Sequence, residues 1–476
     1  MRVLIFHGYL LSGTGSNVYN ARLAEALLAL GHEVHLLCQD RHPERQLFAA
    51  DERCTIYRPD IGGLLPVYVQ DSYEGVQART FADCSDAEVA AYVQANVDAV
   101  REVAERVRPQ VALANHLVMG PAILARALGA SVPYAVKVHG SALEYTVKPE
   151  PERFLRYARE GLAPARTVLV GSTHTARSLW RALEDRSLPG RTRLGPPGVD
   201  VERFAPREPE QARAELRALV ERLRADAGTG TEAGTGTDVA GGIDAGTDSA
   251  VDAGAQESAF ARDERAVANA LERVLAGEGE LVAFVGKLIA AKGVQLLLEA
   301  WPKLLEDRPR ARLVVVGFGA ERELFEAQAE PLGERAIFTG RLEHDELCHL
   351  LPLCEALVVP STFPEAFGMV AVEAAACGAL PVSAAHSGLA EVSDVLAQAV
   401  PAEARELLSF PIDDRAPAAI AERLLAWLGA EPALRERTRA ALVATARERW
   451  SWQGVARGVI DAARGRSEAP LARTVG

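Results

Sequence analysis

Short, continuously apolar runs alternate with helical stretches twice over in this chain, and that alternation constrains the fold more than any other feature. In the first 200 residues Val3 to Phe6, Glu33 to Cys38, Val111 to Ala114, Tyr134 to Val138 and Thr167 to Val170 read as strands, with a helix near Ser16 to Leu30 between the first two. The pattern restarts at Leu281, where Val282 to Val285, Arg312 to Val316, Ala336 to Thr339, Ala356 to Val359 and Leu380 to Ser383 alternate with helices. A strand that is apolar on both faces must be covered on both faces, and strands separated by helices are joined by crossovers. Each half therefore predicts a parallel sheet between helical layers. The fold class is α/β, with two doubly wound Rossmann-like domains, and ligands of such sheets dock at the carboxyl ends of the strands. A chain of 476 residues is also too long for one ordinary core. The expected division is a first domain over residues 1–200, connecting helices over 201–280, a second domain over 281–445, and a C-terminal helix and tail over 446–476.

Between the domains, Asp226 to Ser258 is built almost wholly from Ala, Gly, Thr and Asp, with Ala-Gly-Thr-Gly-Thr at both 227–231 and 233–237. Such a segment cannot bury enough apolar area to offset its ordering entropy, so a disordered insertion is expected between a helix near 208–225 and another near 259–276. The 52 basic and 65 acidic residues leave a net charge of −13, which argues against a nucleic-acid partner and leaves only weak peripheral membrane contact through local basic patches. Met1 to Phe6 enters a strand directly, without a leader pattern, and no apolar run approaches 18 residues; a cytoplasmic protein is the expectation. Cys38, Cys54, Cys84, Cys348, Cys354 and Cys377 form no CxxC pair, so free thiols are expected rather than zinc ligation or disulfides.

The chemistry concentrates in Pro360-Ser361-Thr362-Phe363-Pro364-Glu365-Ala366-Phe367-Gly368-Met369-Val370-Ala371-Val372-Glu373-Ala374. Two carboxylates stand eight residues apart, a Phe-Gly turn follows the first, and an apolar helix carries the second. A strand, a turn and a helix N-terminus make an anion site, because unpaired N–H groups and the helix dipole point at whatever docks there. Carboxylates only accept hydrogen bonds and suit sugar or ribose hydroxyls. Phosphate plus hydroxyls points to a nucleotide sugar. Eight residues of helix would span roughly 12 Å, whereas glycosidase carboxylate pairs sit about 5 to 9.5 Å apart, so a hydrolytic pair is not expected. The chain has five lysines against 47 arginines, yet Lys287 and Lys292 share one loop. With Gly286 and Gly293 allowing close backbone approach, two ammonium groups can clamp a pyrophosphate.

This pattern resembles the Glu-x7-Glu signature of the retaining glycosyltransferases of family 4, which have the two-domain GT-B fold with domains facing a central cleft. Phe284-Val285-Gly286-Lys287 through Lys292-Gly293 is similar to the family's phosphate loop, Val314 to Gly319 to its next strand and turn, and Phe338 to Leu342 to the strand end beneath the base. Cys377 to Val382 is similar to its Gly-x-Pro-Val step and Val138-His139-Gly140 to its N-domain histidine. The likeness is densest over residues 280–392 and thins between 55 and 90. It implies a retaining, metal-independent hexosyltransferase that forms an α-glycosidic bond between a UDP- or GDP-sugar and a hydroxyl of a carbohydrate, polyol or lipid-linked acceptor, with no cofactor.

The resemblance also implies roles. His139, Lys287, Lys292 and Glu365 form the catalytic set; Phe367, Gly368, Met369 and Val370 hold sugar and phosphates through backbone N–H groups; and Glu373 binds the ribose. Gly286, Gly317 and Arg341 surround the nucleotide. Gly13 and Gly15, in Ser12-Gly13-Thr14-Gly15-Ser16-Asn17, lie over the donor phosphates, although an ordinary strand-to-helix turn capped by Ser16 or Asn17 explains that segment equally well. Lys287 stands where the family usually has Arg, so a bidentate contact becomes monodentate. Tyr57, Tyr68, Asp71, Tyr73, Glu74 and Arg79 suit a polyol acceptor. The last helix, after Trp450-Ser451-Trp452, is implied to cross back onto the first domain. No Asp-x-Asp run stands at a strand end of the second domain, so no metal site is expected. A sugar-nucleotide epimerase and a catalytically silent sugar-nucleotide binder are the alternatives.

Overall fold

The computed structural model describes residues 1–11, 15–68, 77–229 and 262–466. The chain divides into two compact units, one of Met1–Gly198 with the chain from Trp450 onward, the other of Val199–Arg449.

The first unit contains β1 (Arg2–Phe6), β2 (Glu33–Leu37), β3 (Cys54–Tyr57), β4 (Leu64–Val67), β5 (Gln77–Thr80), β6 (Val111–Asn115), β7 (Tyr134–Val138), β8 (Thr167–Val170) and β9 (Thr192–Leu194). Seven of them form one parallel sheet in the order β3-β2-β1-β6-β7-β8-β9, and β4 and β5 pair separately. Every residue of β6 and β7 is buried, as strands covered by helices on both faces require. The helix Asp86–Val107 illustrates how the sequence sets such a cover. Ser85 Oγ accepts from the Glu88 N–H while the Glu88 carboxylate accepts from the Ser85 N–H, a reciprocal cap worth on the order of 1 kcal/mol. Val89, Val93, Val97, Val100 and Val103 then recur every three or four residues and are buried.

The C-terminal helix Trp452–Arg464 belongs to this unit. Trp452, Ala456, Val459, Ile460 and Ala463 make its apolar stripe and join the same core cluster as Ile5, Leu23, Leu27 and Ala135. The chain at Gly198 passes so close that a Cβ there would lie 2.5 Å from the Trp452 ring.

The second unit contains β10 (Leu281–Val285), β11 (Arg312–Val316), β12 (Ala336–Gly340), β13 (Ala356–Val359), β14 (Leu380–Ala384) and β15 (Ser409–Phe410). They form one parallel sheet in the order β12-β11-β10-β13-β14-β15. In each sheet the order reverses around one central strand, β1 or β10, and the crevice beside it is where ligands of this architecture bind. Of residues 201–280, expected as connecting helices, the two described helices belong to this unit. The helix Pro209–Thr229 buries Leu216, Leu219, Val220 and Leu223, and Glu264–Ala276 buries Val267, Leu271 and Val274. The buried Arg312 guanidinium donates to the carbonyls of Arg273 and Val274 at 3.2 and 2.9 Å, satisfying the open C-terminus of that second helix. The first of these helices continues to Thr229, past the expected boundary at 226; the rest of the low-complexity segment lies outside the described residues.

Candidate active site

In the second unit the loops that follow β10, β11 and β13 press backbone against backbone. Gly293 adopts φ +74°, and a Cβ there would sit 1.9 Å from the Pro360 carbonyl oxygen; Gly317 adopts φ +147°, and a Cβ there would sit 1.8 Å from that of Gly286. Only glycine meets both demands, a left-handed conformation and a backbone approach that no side chain permits. The loop after β10 is pinned further by Glu321, whose carboxylate accepts from the Ala290 N–H, and by the Thr362 N–H donating to Ala291 O at 3.0 Å.

These contacts bring Lys292 and Glu365 together, with Nζ 2.5 Å from Oε1. Ser361 Oγ donates to the same oxygen at 2.9 Å. The peptide of Glu365 is held on both sides, its N–H donating to Ser387 Oγ at 2.9 Å and its carbonyl accepting from the Gly388 N–H at 2.9 Å. His386 Nε2 donates to Ser361 O at 2.7 Å. The lysine and glutamate side chains stay 33% and 24% exposed, so the pair is fixed but reachable.

Immediately beyond, Phe367 and Gly368 lead into the helix Met369–Cys377, which has Gly368 at φ +115° as its N-cap and no side-chain cap. The N–H groups of Ala371 and Val372 donate to Gly368 O at 3.1 and 3.4 Å, while those of Met369 and Val370 have no acceptor within the helix, and the dipole puts a partial positive charge there. Glu365 lies in the turn before the helix and not within it, so the carboxylates do not share one helical face. Glu373 is on the helix, 1% exposed. Its Oε1 accepts from His344 Nε2 at 2.7 Å, while its Oε2 is buried without a hydrogen-bond partner.

The remaining expected residues of this unit are less tightly tied. Gly286 and Gly317 form the stacked turn described above. Lys287 is exposed and makes no ion pair among the described residues. Arg341 pairs with Glu343 at 3.1 Å and lies over the Phe318 ring at 5.6 Å. Phe367 is buried, and Met369 and Val370 open the helix.

His139 follows β7 in the first unit. Its Nε2 lies 2.9 Å from Asn115 Oδ1, and Asn115 Nδ2 donates to Asn20 Oδ1 at 2.7 Å. Asn20 Nδ2 in turn lies 3.0 Å from His7 Nδ1, and His7 Nε2 lies 2.9 Å from Asn17 Oδ1. Since an amide nitrogen can only donate, the chain of bonds puts the proton of both imidazoles on Nε2. Burial pulls the pKa of His139 well below the usual histidine range, with His116, Lys137 and His7 adding to the effect; burial likewise lowers His7 to about 4. His116, at φ +65°, is buried with neither ring nitrogen bonded, among the rings of Tyr9, Tyr68, His7 and His139.

Gly13 lies outside the described residues, as do Asp71, Tyr73 and Glu74. Gly15 opens the helix Gly15–Ala29, and a Cβ there would meet nothing within 4 Å. Asn17 is inside that helix with its side chain on His7, so it is not the cap. The sequence reading missed Ser361, His386, Ser387 and His344, and the Asn20–Asn115 bridge. Position alone marks the first three, since each follows the end of β13 or β14 directly.

Two doubly wound units, each built on a parallel sheet, are the architecture of the GT-B glycosyltransferases, which draw on nucleotide sugars. Residues 271–443 match the model for glycosyl transferases group 1, and residues 14–187 that for the glycosyl transferase 4-like domain. The chain belongs to the GT4-type glycosyltransferases. It is 28% identical to a D-inositol 3-phosphate glycosyltransferase of Frankia alni, over 94% of this chain and 93% of the relative. The match to an uncharacterized glycosyltransferase of Methanocaldococcus jannaschii is 38% identical over 115 residues, spanning 24% of this chain and 29% of that protein. Among solved structures, sucrose-phosphate synthase from Thermosynechococcus elongatus aligns with a TM-score of 0.59 at 19% identity, covering 97% of this chain and 98% of that one. HepE of Anabaena, solved with UDP and glucose, aligns with a TM-score of 0.56 at 17% identity, covering 97% and 98%. No helix among the described residues is long and apolar enough to cross a membrane.

Proposed function

We propose that this chain is a retaining glycosyltransferase that moves a hexose from a UDP- or GDP-sugar to a hydroxyl of a carbohydrate, polyol or lipid-linked acceptor, forming an α-glycosidic bond without a metal. The observation that carries the reading is the Lys292–Glu365 pair in the turn that leads into a helix N-terminus without a side-chain cap: a cation, a hydroxyl acceptor and the leading N–H donors of Met369 and Val370 close together in the chain. Lys292, Lys287 and the helix N–H groups take the diphosphate and stabilise the charge that grows on it as the glycosidic bond breaks. Glu365 accepts from hydroxyls of the reacting sugar, and its attachment to Ser361, Ser387 and Gly388 keeps it in place. Glu373 takes the ribose through the oxygen that is otherwise unsatisfied, since a buried acceptor without a donor is costly to keep. In the first unit His139 offers its acceptor Nδ1 to a sugar hydroxyl.

Thermal-shift screening against UDP- and GDP-linked hexoses tests the reading, because a ligand that binds only the folded state raises the melting temperature. One of the two series is expected to raise it by several degrees, and a flat response to both would reject the donor assignment.

A further inference from the structure

We infer that His344 is the positioning residue for Glu373, holding one carboxylate oxygen so that the other faces the donor ribose. This rests on the nucleotide-sugar reading above. At 2.7 Å from an acceptor-only carboxylate oxygen, His344 Nε2 must carry a proton and donate it. The bond fixes the carboxylate plane and leaves Oε2 as the oxygen of this carboxylate that is buried without a donor. The imidazole is itself held. Its ring packs against Phe204 with centroids 5.3 Å apart, and the next residue, Asp345, is tied to Arg203 at 2.9 Å. Arg203 and Phe204 belong to the short segment that opens the second unit, after Val199, so that segment braces the histidine. The helix Met369–Cys377 fixes the backbone of Glu373, and the His344 bond holds its side chain.

The test compares binding of UDP and GDP with that of their 2′,3′-dideoxy analogues to the full chain, by calorimetry, for the parent, Glu373→Ala, His344→Phe and His344→Gln. Loss of one charge-assisted hydrogen bond to the aimed carboxylate should weaken the ribonucleotide about tenfold in His344→Phe. The dideoxy analogue should keep its affinity within about twofold, because it makes no bond that the carboxylate could lose. His344→Gln, which retains an N–H donor on a side chain of similar length, should bind the ribonucleotide like the parent; if the Phe variant does not fold, His344→Ala replaces it. Equal losses on ribo and dideoxy ligands in His344→Phe, or failure of Gln to rescue, would overturn the inference. A ribose-selective loss in Glu373→Ala with none in the His344 variants would also overturn it while leaving the ribose reading standing. If Glu373→Ala is itself blind to the ribose hydroxyls, or the parent binds neither diphosphate, the donor reading falls and the inference falls with it.

Discussion

At the level of single residues, the electrostatic assignment is the most exposed to test. Charge on a departing diphosphate grows as the bond breaks, so in the proposed role Lys292 is worth more in the transition state than in the ground state. Lys292→Ala should lower kcat by about 100- to 1,000-fold, roughly 2.7–4 kcal/mol, with a smaller change in donor KM. A kcat within threefold of the parent would remove Lys292 from the chemistry. The sequence made Lys292 and Glu365 legible because each lies in a loop after an apolar strand, Lys292 next to Gly293 and Glu365 just ahead of the Phe367-Gly368 turn. It could not make their contact legible. That depends on Gly293 lying against Pro360, a backbone approach between segments 67 residues apart in the chain. His344 was illegible for a related reason: a histidine in a polar turn looks solvated until the buried Glu373 carboxylate is seen beside it.

At the level of elements, strands with four or five buried residues were readable from their apolar runs. The short or half-exposed strands were not. β3 buries none of its four residues fully, and β15 has only two residues, so neither carries a periodicity to detect. The stacked glycine turns are properties of elements as well, and they make a prediction. Gly317→Ala would force a left-handed φ on a residue with a Cβ and drive that Cβ into Gly286 O. The turns after β10 and β11 must then separate, and chemical unfolding should show a loss of about 1–3 kcal/mol together with loss of donor binding. Gly15→Ala, where the space is open, should leave stability within about 0.5 kcal/mol. A Gly317→Ala protein with normal stability and normal donor affinity would mean that the turn relaxes without consequence.

β7 carries a second element-level consequence. Lys137 is buried in it, with Nζ donating to Gly195 O at 2.5 Å and lying 5.4 Å from the centre of the Tyr19 ring. Burial lowers its pKa to about 7, whereas the unfolded chain keeps the proton to about 10.4. Between those values the unfolded state binds more protons, so stability must rise with pH, by about 1.4 kcal/mol per unit from this group. Lys137→Met removes the term. Urea unfolding at pH 7 and pH 9 should show the parent gaining about 2–3 kcal/mol relative to the variant over that interval; parallel slopes would mean that Lys137 holds an ordinary pKa in the folded protein.

For the whole molecule the anomeric outcome is the sharpest question, because it separates mechanisms rather than residues. Inversion requires a base, poised near neutral pH, that activates the acceptor on the face opposite the leaving group. In the second unit Glu365 is bound to Lys292 and Ser361, and Glu373 is buried against His344; the proposed reading gives each a task other than proton abstraction. In the first unit His139 and His116 have pKa values held well below the ordinary range by burial, which makes them weak bases. On the proposed reading none of these groups serves as that base, attack comes from the side of the leaving diphosphate, and an α-linked donor should give an α-linked product. The reaction should survive a chelator if, as proposed, Lys287, Lys292 and the helix N–H groups supply the positive charge that a metal would otherwise bring. Proton NMR of the first-formed glycoside, in the presence and absence of EDTA, checks both expectations. A β-linked product from an α-linked donor would overturn the mechanism, and activity that EDTA abolishes and magnesium restores would overturn the role given to the lysines.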